Sequence, residues 1–367
     1  MARVLVASFD RVPAPKGASQ HILATVDALR AAGHRVSLVT LGESPIPGLA
    51  HLPLRFSEPN WLRRAQAFSA EIEAICARRP LDVAHVRSPW EGLAVPPGLP
   101  LIYEVNGFAS VEMTYHHPDL LRAPSLLERL RWMELATLDR ADRVITPSVV
   151  TAGYLRDLGV GAERIHVVPN APSFAPRAPT PSAGGPVRLV YHGTLTAWQG
   201  LAELLHRLPS LLDLAWVLDV YTGDRRTKWL HRELRKRGLA ERVTVHPPVF
   251  GEALGDALAA ADIGLAPLTP CGRNLMQGCM PIKILDDMAA GLPVLAPDIP
   301  VVRRILGEEA PLYPAWSRTR CIASLRTWIT EPRLRAEWAT RNAERVRSFS
   351  KARQADALLE AYASLGL

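Results

Sequence analysis

The segment from Arg273 to Ala296 gathers more side chains able to do chemistry than any other stretch of the 367-residue chain. Pro281 suits the first position of a helix, and Gly291 suits the position just past its end. At about 100° per residue, Ile284, Leu285 and Met288 share one face, and Lys283, Asp286 and Asp287 share the other. The expectation is a short helix that buries its apolar side and offers a lysine and two carboxylates from the opposite side. Its first turn carries N–H groups without helical partners and the positive end of the helix dipole, which together favour an anion. Arg273, in the glycine-containing loop before it, can add a forked phosphate contact. A surface helix with a solvated polar face is the plainer alternative. The long polar loop up to Met280, which lacks strand alternation, favours a binding role.

Three other segments stand where strands give way to helices. Val190 to Leu201 reads as strand, glycine turn and helix start, so Gly193 would let a ligand approach the backbone near Thr194 and Gln199. An ordinary strand-to-helix turn has the same pattern. Pro13 to His21, with Lys16 and Gly17, can cradle a phosphate, yet matches neither the G-x-G-x-x-G nor the Walker A pattern. Nicotinamide binding and ATP hydrolysis of those types are therefore unsupported. Tyr103 to Phe108 ends a strand with Glu104 and Asn106 on one face. Glu104 is hard to explain as core, and either backbone groups or an acceptor would have to satisfy it.

The frame for these segments is an alternation of strands and helices. Apolar strands are expected at Arg3 to Ser8, Arg35 to Thr40, Leu81 to Val86, Leu101 to Val105, Arg143 to Thr146 and Ile165 to Val168. After a Pro-, Ala-, Ser- and Gly-rich stretch they resume at Val187 to His192, Trp216 to Thr222, Arg242 to His246 and Ile263 to Pro267. Helices are expected over Ser19 to Ala32, Ser125 to Arg140, Gln199 to Leu212, Arg225 to Arg237, Glu252 to Ala261, and from Arg318 onward with a break at Pro332. The fold class is α/β, with two Rossmann-like, doubly wound parallel sheets. The expected division is residues 1–170, a linker over 171–186, a second domain over 187–345, and a C-terminal helix over 346–367 crossing back to the first domain. Ligands of such sheets sit beyond the carboxyl ends of the strands, so the expected site is the cleft between two facing domains.

Hydrophobic residues make up 48% and charged residues 22%, as in a globular domain, and no apolar run reaches the roughly 18 residues of a membrane span. The apolar stretch at Met1 to Ser8 is too short for a secretory signal, so a cytoplasmic location is expected. The four cysteines form no C-x-x-C pair, which points to reduced thiols. A net charge of +7 calls for an anionic partner: a phosphate-bearing substrate, an anionic membrane surface or nucleic acid. With only 6% aromatic residues and no base-stacking motif, nucleic acid is disfavoured. The basic stretch Leu120 to Arg131, followed by Trp132, fits either peripheral contact with an anionic membrane or a core helix with a solvated arginine face. No Asp-x-Asp pair is placed for a metal, and no cofactor is expected.

With these residues in view, nearly the whole chain resembles the retaining glycosyltransferases of family 4, which have the GT-B fold. The resemblance rests on Lys16-Gly17 and the helix ending Ala32-Gly33-His34-Arg35-Val36, on Ala141 to Ser148, on Val167 to Asn170, on His192-Gly193-Thr194 with Gln199-Gly200, and on Pro281 to Ala296. It implies transfer of a hexose-type sugar from a nucleotide-sugar to a hydroxyl of a glycan, lipid-linked or small-molecule acceptor, with retention and without a metal. It also implies roles by position. The backbone of Gly17 would approach the donor diphosphate, and that of Met280, Pro281 and Ile282 the sugar or phosphate. Asp286 would hold the ribose where the family usually has Glu, and Lys283 and Arg273 would face the diphosphate. Thr194 and Gln199 stand where the family often has Arg and Lys, Gly278 replaces the first of its paired glutamates, and Asn106 stands for a common His. Glu104, Asn106 and Glu112, with Tyr115 to His117, are the acceptor-side candidates. A nucleotide-sugar epimerase, a phosphorylase and a non-catalytic nucleotide-sugar-binding protein remain as alternatives on the same fold.

Overall fold

A computed structural model describes residues 1–14, 17–179, 184–224 and 227–367. Pro15 and Lys16 of the first loop, Thr180 to Ala183 of the linker, and Arg225 and Arg226 of an expected helix lie outside the described residues. The chain forms two compact units. One comprises Met1–Asn170 with Lys351–Leu367, and the other Ala171–Ser350.

The first unit is built on seven parallel strands: β1 (Arg3–Arg11), β2 (Arg35–Leu41), β3 (Ala50–Leu54), β4 (Val83–Val86), β5 (Leu101–Glu104), β6 (Arg143–Thr146) and β7 (Ile165–Val167). Their spatial order is β3-β2-β1-β4-β5-β6-β7. Val4, Leu5, Val6 and Ala7 are all buried because both faces of the sheet are covered, which is why β1 reads as an unbroken apolar run. The Lys351–Ala363 helix packs in this unit, its Leu358, Ala361 and Tyr362 joining Val4, Val6 and Ile22 in one core cluster. The sequence reading had no counterpart for β3 or for the Trp61–Arg78 helix. β3 contains Pro53 and pairs only with β2, at the sheet edge where a missing N–H is tolerated. The helix is capped by Asn60, whose side chain accepts from Arg63 N at 3.2 Å, and buries Ala65, Phe68, Ile72 and Ile75.

The second unit has five parallel strands, β8 (Val187–His192), β9 (Trp216–Tyr221), β10 (Val243–His246), β11 (Ile263–Leu265) and β12 (Val294–Leu295), in the order β10-β9-β8-β11-β12. The helix expected over Gln199 to Leu212 is instead a 3-10 turn (Ala197–Gln199), a short helix (Leu201–Leu205) and a second 3-10 turn (Leu208–Leu211). Gly200, with φ of 75°, separates the first two, and Pro209 sits in the third. The basic stretch from Leu120 divides at Pro124 into a 3-10 turn (Pro118–Arg122) and the Pro124–Arg140 helix, leaving Leu121 and Trp132 66% and 63% exposed. Among the described residues no helix is long and apolar enough to cross a membrane.

Candidate active site

In the second unit, β8 ends at His192, and the Ile282–Ala289 helix lies in the chain between β11 and β12. Pro281 is the residue before the first helical turn rather than within it. The polar face, expected to be offered to a ligand and on the plainer alternative to solvent, is buried: Lys283, Asp286 and Asp287 are 7%, 3% and 0% exposed. The carboxyl end of β8 and the turn after it cover Lys283, Ser173 covers Asp286, and His192 and Gly264 of β11 lie against Asp287. Lys283 Nζ donates to Gln199 Oε1 at 3.0 Å and stands 3.6 Å from the centroid of the Tyr191 ring, a cation–π contact. The Tyr191 hydroxyl donates to the Thr194 carbonyl at 2.6 Å, which fixes the ring under the ammonium. Thr194 itself is exposed, its hydroxyl 3.0 Å from that of Thr196. Burial lowers the Lys283 ammonium to a pKa of about 7, against an opposing effect of Asp287. Gly193 has a φ of 126°, and a Cβ there would meet Lys283 Cε at 3.3 Å and Nζ at 3.5 Å. The turn thus leaves backbone bare beside the lysine.

Residues Arg273–Gln277 form a single wide turn, closed by Gly278 N donating to Arg273 O at 3.0 Å. Asn274 ties it down, its Nδ2 donating to Trp198 O at 2.9 Å and Thr269 O at 2.8 Å. The Arg273 guanidinium lies 4.5 Å from the Trp198 ring centroid and donates to Cys279 Sγ at 2.7 Å. Arg273 and Lys283 therefore engage consecutive residues, Trp198 and Gln199, of the turn that follows β8.

Asp286 turns to another partner. Its Oδ1 accepts from Ser173 N at 2.7 Å and its Oδ2 from Ser173 Oγ at 3.0 Å. Burial raises its pKa to about 6, with His192 and the Ser173 bonds acting in the opposite sense. Met280 is buried, and Pro281 and Ile282 are half-buried at the start of the helix.

In the first unit, Gly17 opens the Gly17–Ala31 helix. Glu104 is not solvated, and its hydrogen-bond and ion-pair partners among the described residues are side chains. It is buried at the end of β5 with His21 Nε2 at 2.9 Å, His85 Nε2 and Arg87 Nε each at 3.1 Å, and the Asn106 amide donating to Oε1. Burial pushes the Glu104 carboxyl up, but the charges of Arg87 and His21 outweigh it and hold the group well below the usual carboxylate range. Arg87 Nη1 also reaches Asp10 Oδ2 at 3.3 Å, and the Tyr362 hydroxyl lies 2.9 Å from His85 Nδ1. The carboxyl ends of β1, β4 and β5 thus meet in one polar network. Glu112 sits in the Ala109–His116 helix, its carboxylate against the backbone of Gly107, and His116 and His117 are exposed.

Sequence reasoning missed His21, His85 and Arg87 as partners of Glu104, Ser173 as partner of Asp286, and Tyr191 as the surface under Lys283. His85 and Arg87 alternate across the end of a strand whose other residues are apolar, a signal that could have marked them. Among the described residues no group of three or more His, Cys, Asp or Glu side chains is placed to hold a metal ion.

Comparison with known proteins bears on this geometry. The profile of Glycosyltransferase Family 4 matches residues 15–172, and that of Glycosyl transferases group 1 matches residues 186–329. The chain is 24% identical over 370 aligned residues to a phosphatidyl-myo-inositol mannosyltransferase of Mycolicibacterium smegmatis, covering 93% of this chain and 88% of that protein. Among solved structures, a sucrose-phosphate synthase of Thermosynechococcus elongatus superposes with a TM-score of 0.82 at 17% identity, over 100% of this chain and 99% of that one. HepE of Anabaena in complex with UDP-glucose gives 0.73 at 16% identity, over 99% and 100%. These structural likenesses establish a shared fold.

Proposed function

The chain belongs to the family 4 glycosyltransferases of GT-B fold, and from that premise we propose that it is a retaining, metal-independent hexosyltransferase that uses a nucleotide-sugar donor and a hydroxyl acceptor. The observation that carries the reading is Lys283, a buried cation whose hydrogen-bond partner among the described residues is the neutral amide of Gln199. A buried ammonium held by a neutral group and an aromatic face has charge to offer an anion. Gly193 leaves the backbone beside it open to approach.

The bond from sugar to diphosphate breaks with negative charge growing on the leaving group. Lys283, Arg273 and the N–H groups at the start of the Ile282–Ala289 helix would stabilise that charge in place of a dication. Asp286 and Ser173 would take the ribose hydroxyls. In a retaining transfer the departing phosphate helps to accept the acceptor's proton, so no side-chain nucleophile is required. The acceptor would be bound at the carboxyl edge of the first unit's sheet by His21, Asn106 and Glu112, with Glu104 fixing the first two. The mycobacterial relative carries a lipid acceptor in its name, and Leu121 and Trp132 are exposed near the exposed Arg122, Arg129 and Arg131. Those features favour an acceptor at an anionic membrane surface.

The test is a thermal-shift screen with UDP-, GDP-, ADP-, CMP- and dTDP-sugars, each with and without EDTA, followed by proton NMR of the product's anomeric configuration. Stabilisation indifferent to EDTA, and a product of the donor's configuration, are expected. An inverted product, or a donor effect abolished by EDTA, would overturn the reading.

A further inference from the structure

Asp287 is fully buried, and neither of its carboxylate oxygens has a hydrogen bond among the described residues. A carboxylate in that position is strongly disfavoured unless other charges face it. His192 Nε2 lies 3.3 Å from Asp287 Oδ1, beyond good hydrogen-bond geometry but within ion-pair reach. Lys283, one helical turn earlier on the same face, feels the charge of Asp287. The fold makes room for this carboxylate deliberately. Gly264 of β11 lies under it, and a Cβ there would stand 2.5 Å from Asp287 Cγ. A glycine inside a central strand weakens the strand, and an apolar residue at either position would have been the simpler core.

We propose that Asp287 is a positioning residue of the donor site, anchoring His192 at the end of β8 and keeping a negative charge beside Lys283 without touching substrate itself. This rests on the reading of Lys283 as a ligand of the donor diphosphate. Burial favours the neutral amine at Lys283, and Asp287 counters it by favouring the ammonium that an anion requires. The same charge opposes ionisation of Asp286. One residue thereby biases both groups.

The other groups facing this face are Tyr191 and His192 from β8 and Gln199 from the following turn, with Arg273 in the loop before the helix. On the remaining sides, Glu252 and Asp256 of the Gly251–Ala259 helix are paired with Arg177. The Pro332–Arg345 helix places the neutral Asn342 against Leu292 O. Arg345 is taken up by the carbonyls of Ile305 and Arg304, and Arg303 by Asp298 and Glu308.

The test is Asp287→Asn, which keeps the shape and removes the charge. Binding of UDP, GDP and ADP is measured by calorimetry on the full chain from about pH 5 to 9, alongside the melting temperature. In the variant both limbs of the affinity profile should move to lower pH, the alkaline one by about one unit or more. Near the variant's own optimum the affinity should stay within about threefold of wild type. Uniformly weakened binding with both limbs unmoved would mean a merely structural residue and would overturn the proposal. If Asp287→Asn does not fold, Asp287→Leu, which fills the space without polar atoms, carries the same expectation. Lys283→Ala separates the two levels. If it binds the nucleotides as wild type does, the reading of Lys283 fails and this proposal with it. If it loses them while the Asp287→Asn limbs stay put, this proposal alone fails. Wild-type protein that binds none of the three nucleotides, nor CMP or dTDP, also overturns the premise.

Discussion

Lys283 Nζ rests 3.6 Å from the centre of the Tyr191 ring, and the tyrosine hydroxyl is itself locked to the Thr194 carbonyl at 2.6 Å. A strand-end aromatic thus serves as the floor of a cation site, and the turn that holds it in place also carries Gly193 and Gln199. The geometry fixes the lysine through a neutral amide and an aromatic face, which suits a group that must meet a diphosphate.

Replacing Gly193 by Ala tests that fit. The added methyl would face Lys283 Cε at 3.3 Å on a backbone with φ of 126°. Nucleoside-diphosphate affinity should fall about tenfold or more, with roughly 1–3 kcal/mol of lost stability from the strained backbone. Calorimetry and urea unfolding would read the two effects, and unchanged affinity would contradict the close approach.

Donor binding should have a narrow optimum in pH. The diphosphate favours charged Lys283, whose pKa of about 7 is depressed by burial, so affinity is lost as pH rises through that value. Ribose hydroxyls favour ionised Asp286, raised by burial to about 6, so affinity is lost as pH falls through that value. A Kd series across pH would show the bell, and a flat profile would speak against both assignments.

The first unit should depend on Glu104 for stability. Glu104→Gln leaves Arg87 and His85 beside a neutral amide in a buried site, so a loss of roughly 3–5 kcal/mol is expected in urea unfolding. His21→Ala removes a side chain from the edge of the network. It should leave nucleotide binding unchanged and slow transfer, measured as acceptor-dependent product. Normal transfer by His21→Ala would remove the acceptor assignment there.

Much of the architecture was legible because it follows from periodicity. Unbroken apolar runs such as Val4 to Ala7 announce strands covered on both faces. β3 escaped because Pro53 argues against a strand unless its edge position is known, and only pairing reveals that. The helix of Lys283 was placed nearly to the residue, with its polar face offered to a ligand or, on the plainer alternative, to solvent, whereas the protein itself covers that face. Helical periodicity says which side chains share a face, not what covers them. Whether Asp286 meets Ser173, 113 positions away, or Glu104 meets His21 and Arg87, is decided by tertiary packing that spacing along one element does not encode.

The central claim is that Lys283 stabilises the diphosphate of a nucleotide-sugar. Turnover of Lys283→Ala with the donor found in the screen, compared with wild type at the optimum pH, tests it most directly. The account predicts a fall in kcat on the order of a hundredfold, the scale of one lost donor to a developing anion, with the fold intact by melting. Turnover within a few-fold of wild type would contradict it.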